Sequence, residues 1–402
     1  MQTNLLVDFL NTPQGQEADK ILRSCVHCGF CTATCPTYQL LGDELDGPRG
    51  RIYQIKLALE GEEVSSHTQT HLDRCLTCLN CETTCPSGVQ YHRLLDIGRE
   101  YIDNKVKRSY GQRLSRWVLR QTLPYSRRIA PFVKLGQWFK PLLPEPLAKK
   151  IPSRQQAIYV NPGKHPRKML MLAGCAQKVM TPRTNQATSV VLGQLGIELI
   201  EAPLAGCCGA LSHHLCAAEE AKVFMRRNID AWWPYIEEGA EAIIMTASGC
   251  GAMVKDYAVH LLHDRDYAEK ARHISSMTRD LCEVITADDI RKLPSGKGQS
   301  VVFHPPCTLQ HAQKLSGRIE SLLTAAGYKL LPVKDSHLCC GSAGSYSILQ
   351  SRLANQLKQR KLEALETHQP ELIVTANIGC QLHLQSGTHI PVKHWIEILV
   401  GE

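Results

Sequence analysis

The sequence predicts an α+β multidomain protein: a helical, cysteine-rich domain followed by two homologous α/β domains with mostly parallel sheets. Three observations carry this. Two four-cysteine runs, "CVHCGFCTATCP" (Cys25 to Pro36) and "CLTCLNCETTCP" (Cys75 to Pro86), lie near the start among segments of helical period. Further along, four cysteines recur at offsets of 132, 132, 132 and 130 residues. Between those cysteines, strand-like apolar runs alternate with helix-like segments.

The first domain, 1–104, reads as helical because "ADKILRSC", "GRIYQIKLALEG" and "YHRLLDIGREYIDNKV" place apolar residues at helical spacing. The cysteine runs then fall near helix ends and turns. Residues 105–166 form a basic connector or docking segment. Short amphipathic helices there are expected to break at Pro124, Pro131, Pro141, Pro144 and Pro146. The repeat divides the rest into 167–290 and 291–402. "RKMLMLAGC" matches "QSVVFHPPC", and "AIIMTASGC" matches "LIVTANIGC". "ATSVVLGQLGIELI" and "RIESLLTAAGYKLLPV" each turn from a helical period to a strand-like run after a glycine. The cysteines follow predicted strands or sit in glycine-rich loops, where α/β sheets place their ligands.

The chain has 402 residues, of which 18 are cysteine. Its N-terminal stretch lacks the basic, apolar and small-residue pattern of a secretory signal, so a cytoplasmic location with reduced thiols is expected. No stretch approaches a membrane-spanning length of apolar residues. The net charge of +8 is concentrated. Residues 105–154 hold 13 Lys or Arg against one acid, Glu145, a local +12 that leaves −4 elsewhere. Trp117, Phe132, Trp138 and Phe139 are interleaved with those cations. Such a strip suits a membrane surface, a partner subunit or packing on the chain's own domains, and argues against nucleic-acid binding.

A C-x2-C-x2-C-x3-C-P run is the bacterial ferredoxin pattern. Three thiolates two residues apart wrap one Fe4S4 cube, while the three-residue step and the proline carry the fourth away. In two-cluster ferredoxins that fourth cysteine serves the other cluster. The expected ligand sets are therefore Cys25, Cys28, Cys31 and Cys85 for one cluster, and Cys75, Cys78, Cys81 and Cys35 for the other. Gly29, Pro36, Pro86 and Gly88 shape the loops. The competing reading is a zinc module, but two intact runs, each closed by proline, exceed what zinc requires. Arg23 and Arg74 precede the first cysteine of each run and are candidates for raising a potential or for plain solvated charge.

Each α/β repeat offers four more thiols: Cys175, Cys207, Cys208 and Cys250, then Cys307, Cys339, Cys340 and Cys380. They are candidates for a further cluster or a redox-active thiol site, set against the plainer reading of buried packing residues. His304, His311 and His337 flank the second set as candidate proton relays. Cys216 and Cys282 have no counterpart in the repeat and read as ordinary thiols.

The layout resembles the iron–sulfur electron-transfer subunits of glycolate oxidase, anaerobic glycerol-3-phosphate dehydrogenase, lactate-utilisation systems and heterodisulfide reductase. The glycolate oxidase iron–sulfur subunits are the most alike. "SCVHCGFCTATCPTYQLLGDELDGPRGRIYQIK", "CLTCLNCETTCPSGV", "TASGCGAMVKDY", "CTLQHAQKLSG", "DSHLCCGSAGSYSILQ" and "TANIGCQLHL" carry the likeness. The resemblance implies an FAD-bearing partner that oxidises a 2-hydroxy acid, glycolate first and D-lactate as an alternative, or else makes this chain the equivalent subunit of an anaerobic glycerol-3-phosphate dehydrogenase. It also implies quinone as the membrane acceptor and attachment to the cytoplasmic face of the inner membrane. Catalysis would belong to the complex as an oxidoreductase, not to the isolated chain. A self-contained thiol or quinone reductase acting at the CCG cysteines is the rival. Met253 and His383 stand where heterodisulfide reductase-like domains close a C-x2-C, so the five-cysteine set is incomplete in both halves. No G-x-G-x-x-G is present ("SGCGAM" and "SGKGQS" lack the third glycine), so no flavin of its own is expected.

Overall fold

The computed structural model describes residues 1–149, 151–156, 158, 163–294 and 296–400. The chain falls into two compact units. One comprises Met1–Trp117, His214–Cys216 and His337–Lys361; the other comprises Val118–His213, Ala217–Ser336 and Leu362–Glu402.

The N-terminal unit is helical. Its longer helices are Pro13–Ser24, Pro48–Leu59, Ser66–Asp73 and Tyr91–Lys105. Local chemistry starts them. The Thr12 hydroxyl accepts the Gly15 amide and Pro13 takes the first helical position, where a missing N–H costs nothing. Pro48 does the same for its helix, and Ser65 caps the next through the His67 amide. Leu22, Ile55, Leu59, Leu72, Leu94, Leu95 and Ile102 form the core between them. Burying each such side chain contributes roughly 1.5–3 kcal/mol.

The second unit holds two sheets of four parallel strands. The first consists of β1 (Arg167–Met171), β2 (Ile197–Glu201), β3 (Ile243–Met245) and β4 (Thr278–Asp280), in the order β2-β1-β3-β4. The second consists of β5 (Ser300–His304), β6 (Lys329–Leu330), β7 (Leu372–Thr375) and β8 (Val392–His394), in the order β6-β5-β7-β8. The repeat in the sequence is thus a repeat in topology. In each copy a helix, Pro182–Gln194 or Arg318–Ala325, ends shortly before a glycine of positive φ, Gly196 or Gly327, and the next strand begins. β4 and β8 are short, and their residues, "TRD" and "VKH", form no apolar run that would mark a strand in the sequence. One apolar core joins the two sheets, with Met169, Ile197 and Ile244 from the first and Val301, Phe303, Val374 and Trp395 from the second repeat. Across it, Thr184 donates to Glu397, and His394 Nε2 donates to the Thr246 carbonyl at 2.8 Å.

In the basic segment the helices are Tyr110–Thr122 and Ser126–Phe139. Pro124 separates them as expected, but Pro131 lies inside the second helix. The backbone carbonyl that loses its partner there belongs to the exposed Arg127, which water can serve.

Candidate metal centres

The two cysteine runs share one backbone course. His27 and Thr77, third in their runs, have φ of 56° and 52°, and Gly29 and Leu79, fifth, have φ of 85° and 61°. A short helix follows in each, Phe30–Ala33 and Asn80–Thr84, and the fourth cysteine precedes a proline. Left-handed non-glycine residues cost energy and cluster where function holds them. Here the turns aim amides inward: the Thr77 N–H points at Cys75 Sγ at 3.4 Å. Glycine signals such a turn only at position 29, so the sequence left the other three hidden.

Two cavities of the N-terminal unit gather the thiols. Cys25, Cys28, Cys31 and Cys85 line one, with His27, Gly29, Arg49 and Ile52 around them. Cys35, Cys75, Cys78 and Cys81 line the other, with Thr37, Arg51 and Leu79. Cys81 and Tyr91 border both. The first cavity thus takes three thiols from its own run with Cys85 and the shared Cys81 from the other, and the second takes three from its run and Cys35 from the other. Four sulfur donors converging on one cavity, with amides turned towards them, fit an iron–sulfur cluster.

The surroundings differ. Arg51 is 1% exposed, and its Nε donates to the His71 carbonyl while its terminal nitrogens reach Thr37 and Asp46. Asp46 is fully buried and also meets Arg74 at 2.8 Å and His71 at 3.0 Å. The Thr37 hydroxyl lies 3.3 Å from Cys35 Sγ. Arg99 donates to the carbonyls of Leu72 and Cys75 and to Thr77. The Tyr91 hydroxyl is 3.6 Å from Cys75 Sγ. Burial works to raise the Cys75 thiol, yet Arg51 and Arg99 hold it below the ordinary thiol value. Burial dominates at Cys31 of the other cavity, which is pushed up to about 11, and also at Cys81, which borders both and is raised well above the ordinary thiol value. Arg74 thus belongs to a buried network. Arg23 pairs with Asp19 at the surface, 58% exposed. Arg51 and Arg99, which sequence reasoning missed, lie 24 residues before and after Cys75, with no motif to mark them.

The α/β unit contains a third sulfur group. Cys175, Cys207, Cys208 and Cys250 are linked in series by thiol–thiol contacts. Cys207 is pushed up to about 12: Cys175 donates to it and lowers it, but Cys208 and burial outweigh that. The buried Asn228 holds this turn. It accepts the Gly206 amide and donates to the Cys207 carbonyl at 2.9 Å, while Tyr257 donates to the Cys208 carbonyl at 2.8 Å. The glycines of the two CCG triplets do one job. Gly209 and Gly341 have φ of 93° and 87°, and their amides point at Cys207 Sγ and Cys339 Sγ. A Cβ would stand 3.0 Å from the Ala221 carbonyl at Gly209 and 2.6 Å from that of Ala354 at Gly341.

Of the second set, Cys307 and Cys380 lie buried in the α/β unit, where the Asn377 amide is 3.7 Å from Cys380 Sγ. His304 and His311 are buried in that unit too. Cys339 and Cys340 lie buried in the N-terminal unit. There Asn80 donates to the His337 carbonyl at 3.3 Å, and Tyr346 is buried close enough to Cys75 and Cys339 to feel both. Cys216 and Cys282 join none of these groups. Burial pushes Cys216 up to about 11 and Cys282 higher still.

Paired cysteine-lined cavities ahead of twin cysteine-rich α/β repeats define an iron–sulfur electron-transfer subunit of an oxidoreductase. A 4Fe-4S dicluster domain matches residues 21–89, and a cysteine-rich CCG domain matches 169–255 and 301–385. The chain is 54% identical over 400 residues to the glycolate oxidase iron-sulfur subunit of Escherichia coli K12, covering 99% of this chain and 98% of that one. It is 30% identical to the probable glycolate oxidase iron-sulfur subunit of Bacillus subtilis 168, covering 91% and 89%. A lactate utilization protein A from Geobacillus WCH70 is 24% identical, covering 58% of this chain and 98% of its own. The chain belongs to the family of glycolate oxidase iron–sulfur subunits.

Proposed function

We propose that this chain is the electron conduit of a glycolate oxidase complex, and that Cys25, Cys28, Cys31 and Cys85 hold one 4Fe–4S cluster while Cys35, Cys75, Cys78 and Cys81 hold a second. The pairing of thiols in the two cavities is the observation that carries this reading. When bound, each cluster supplies one-electron storage at nearly fixed geometry. Glycolate would give two electrons and two protons to a flavin on the partner, leaving glyoxylate, and this chain would receive the electrons one at a time. This chain's residues hold the sulfurs, exclude water from Cys25, Cys35 and Cys81, and hand electrons on towards quinone. The chain alone does not oxidise glycolate.

The membrane contact in this reading is the helix Ser126–Phe139 and its continuation. Phe132, Leu135, Trp138, Phe139 and Leu142 are exposed there beside Arg127, Arg128 and Lys134. An apolar stripe flanked by cations suits an anionic membrane surface on the cytoplasmic side. No described helix is long and apolar enough to cross a membrane.

The test is iron and acid-labile sulfide per chain in anaerobically purified protein, with EPR after reduction. About eight irons and two interacting signals are expected from two four-iron clusters. About twelve would give Cys175, Cys207, Cys208 and Cys250 a cluster of their own and favour the second reading, reductase chemistry at the CCG thiols. Zinc in place of iron would overturn both. For the helix, Lys134→Glu with Arg127→Glu is expected to release the complex from anionic vesicles at moderate salt.

A further inference from the structure

We propose that Arg51, Arg99 and Tyr91 set the cavity of Cys35, Cys75, Cys78 and Cys81 at a higher reduction potential than the cavity of Cys25, Cys28, Cys31 and Cys85. The inference rests on the ligand assignment above. Reduction adds one negative charge at the sulfurs, so cations and hydrogen bonds that meet sulfur stabilise the reduced form.

The two cavities share their backbone course, and with it the amides turned at the first cysteine. They differ in what distant segments bring. At the Cys75 cavity Arg51 and Arg74 share one carboxylate, Asp46, and Arg99 lies close by with Asp73 in reach. Arg51 and Arg99 are buried, and Arg99 donates to the carbonyl of Cys75 itself. Tyr91 adds a hydroxyl at 3.6 Å from Cys75 Sγ. At the Cys25 cavity the cations are of another kind. Arg49 is 37% exposed and paired with Glu44 at 2.6 Å. The N-terminal ammonium sits on the Cys25 carbonyl, partly open to water.

Solvent acts in the opposite direction. Cys28 is exposed, and water at that sulfur also stabilises added negative charge. The magnitudes favour the buried cations. A charge in a protein environment with an effective dielectric near ~20 acts about four times as strongly as the same charge in water at ~80. The exposed cations are further screened by salt and, for Arg49, by its partner. The potential therefore rises from the cavity lined by exposed Val26 and Cys28 towards the one beside Tyr346 and the Cys339 segment.

The experiment is an EPR-monitored redox titration of the full chain, purified anaerobically, as wild type, Tyr91→Phe, Arg51→Gln and Arg49→Gln. Two midpoints are expected in wild type. Tyr91→Phe lowers only the higher one. Arg51→Gln lowers the same midpoint further, by at least a tenfold change in the one-electron equilibrium, ~59 mV. Arg49→Gln leaves the higher midpoint in place. If Arg51→Gln fails to fold, Tyr91→Phe, which keeps the ring, decides alone. Full iron content with an unmoved higher midpoint in Tyr91→Phe and Arg51→Gln, or with the lower one moved instead, overturns the inference. A chain that assembles no iron–sulfur cluster at all overturns the ligand assignment, and this inference with it.

Discussion

The two cysteine cavities follow one local script in two settings. Both use the same spacing, the same left-handed turns at the third and fifth positions and the same proline after the fourth cysteine. Around one, the fixed charges are solvated or paired at the surface. Around the other lies a buried network of Arg51, Asp46, His71 and Arg74, with Arg99 beside it. The difference shows that a motif supplies ligands while packing supplies their environment. A buried guanidinium is tolerable only where anionic sulfur and a carboxylate meet it, since an unpaired buried charge costs several kcal/mol.

The largest test removes a ligand from either cavity. In the assembled complex, Cys28→Ser and Cys78→Ser are each expected to cut glycolate-dependent quinone reduction at least ~100-fold, a range seen when metal-site groups are lost. Reduction of the partner's flavin by glycolate should persist, as stopped-flow absorbance would show. If only one variant has this effect, the two cavities do not act in series.

Next comes the buried carboxylate. Asp46→Asn leaves Arg51 and Arg74 short of their counter-charge, and the N-terminal unit should lose ~3–5 kcal/mol in urea unfolding. Glu44→Gln, which frees only the partly exposed Arg49, should cost at most ~1 kcal/mol. Equal costs would remove the asymmetry between the cavities.

An acid-pH test supplies a baseline away from both. Burial holds His394 at about 4, in keeping with its neutral role as donor to Thr246 and acceptor from the Ile396 amide. Its folded value lies below the unfolded value of ~6.5, so the unfolded chain binds more protons between the two. The stability it contributes is present above ~6.5 and is lost as pH falls towards 4. His394→Leu should flatten this part of the stability profile of the α/β unit in pH-resolved unfolding. An unchanged acid slope would show that other groups set it.

The smallest effect is at the turns. Gly29→Ala should cost ~1–2 kcal/mol, because its φ is left-handed and any added Cβ is strained there. Leu79 already bears that strain, so Leu79→Ala should cost only its packing. A neutral Gly29→Ala would mean that the first turn relaxes.

Much of this was legible from residues alone. The ferredoxin spacing named eight cysteines, and the structure lines two cavities of the N-terminal unit with them, Cys81 bordering both; their division into two ligand sets is the reading proposed above. The 132-residue offset announced two copies of one α/β fold, and both sheets have the same strand order. The edge strands β4 and β8 were not legible, since "TRD" and "VKH" lack the apolar run that marks the equally short β3, "IIM". Pro131 was read as a break because sequence cannot show that the carbonyl it strands faces water. Nor could it show Asn228 and Tyr257 bracing the Cys207–Cys208 turn, because a buried asparagine and tyrosine look like any others until their partners are known.

The sequence by itself determined the cysteine runs with their spacing and the repeated α/β topology. These depend on short-range geometry: the reach of a thiolate over two or three residues, and the alternation of two hydrophobic periods. Only the tertiary structure decided which charges lie buried beside which sulfurs. It also decided that residues His337–Lys361 belong with the N-terminal helices rather than with the sheet of their own repeat. Electrostatic environment is a sum over neighbours in space, and Arg51, Arg99 and Tyr91 become neighbours of Cys75 only once the helices Pro48–Leu59 and Tyr91–Lys105 have packed around it.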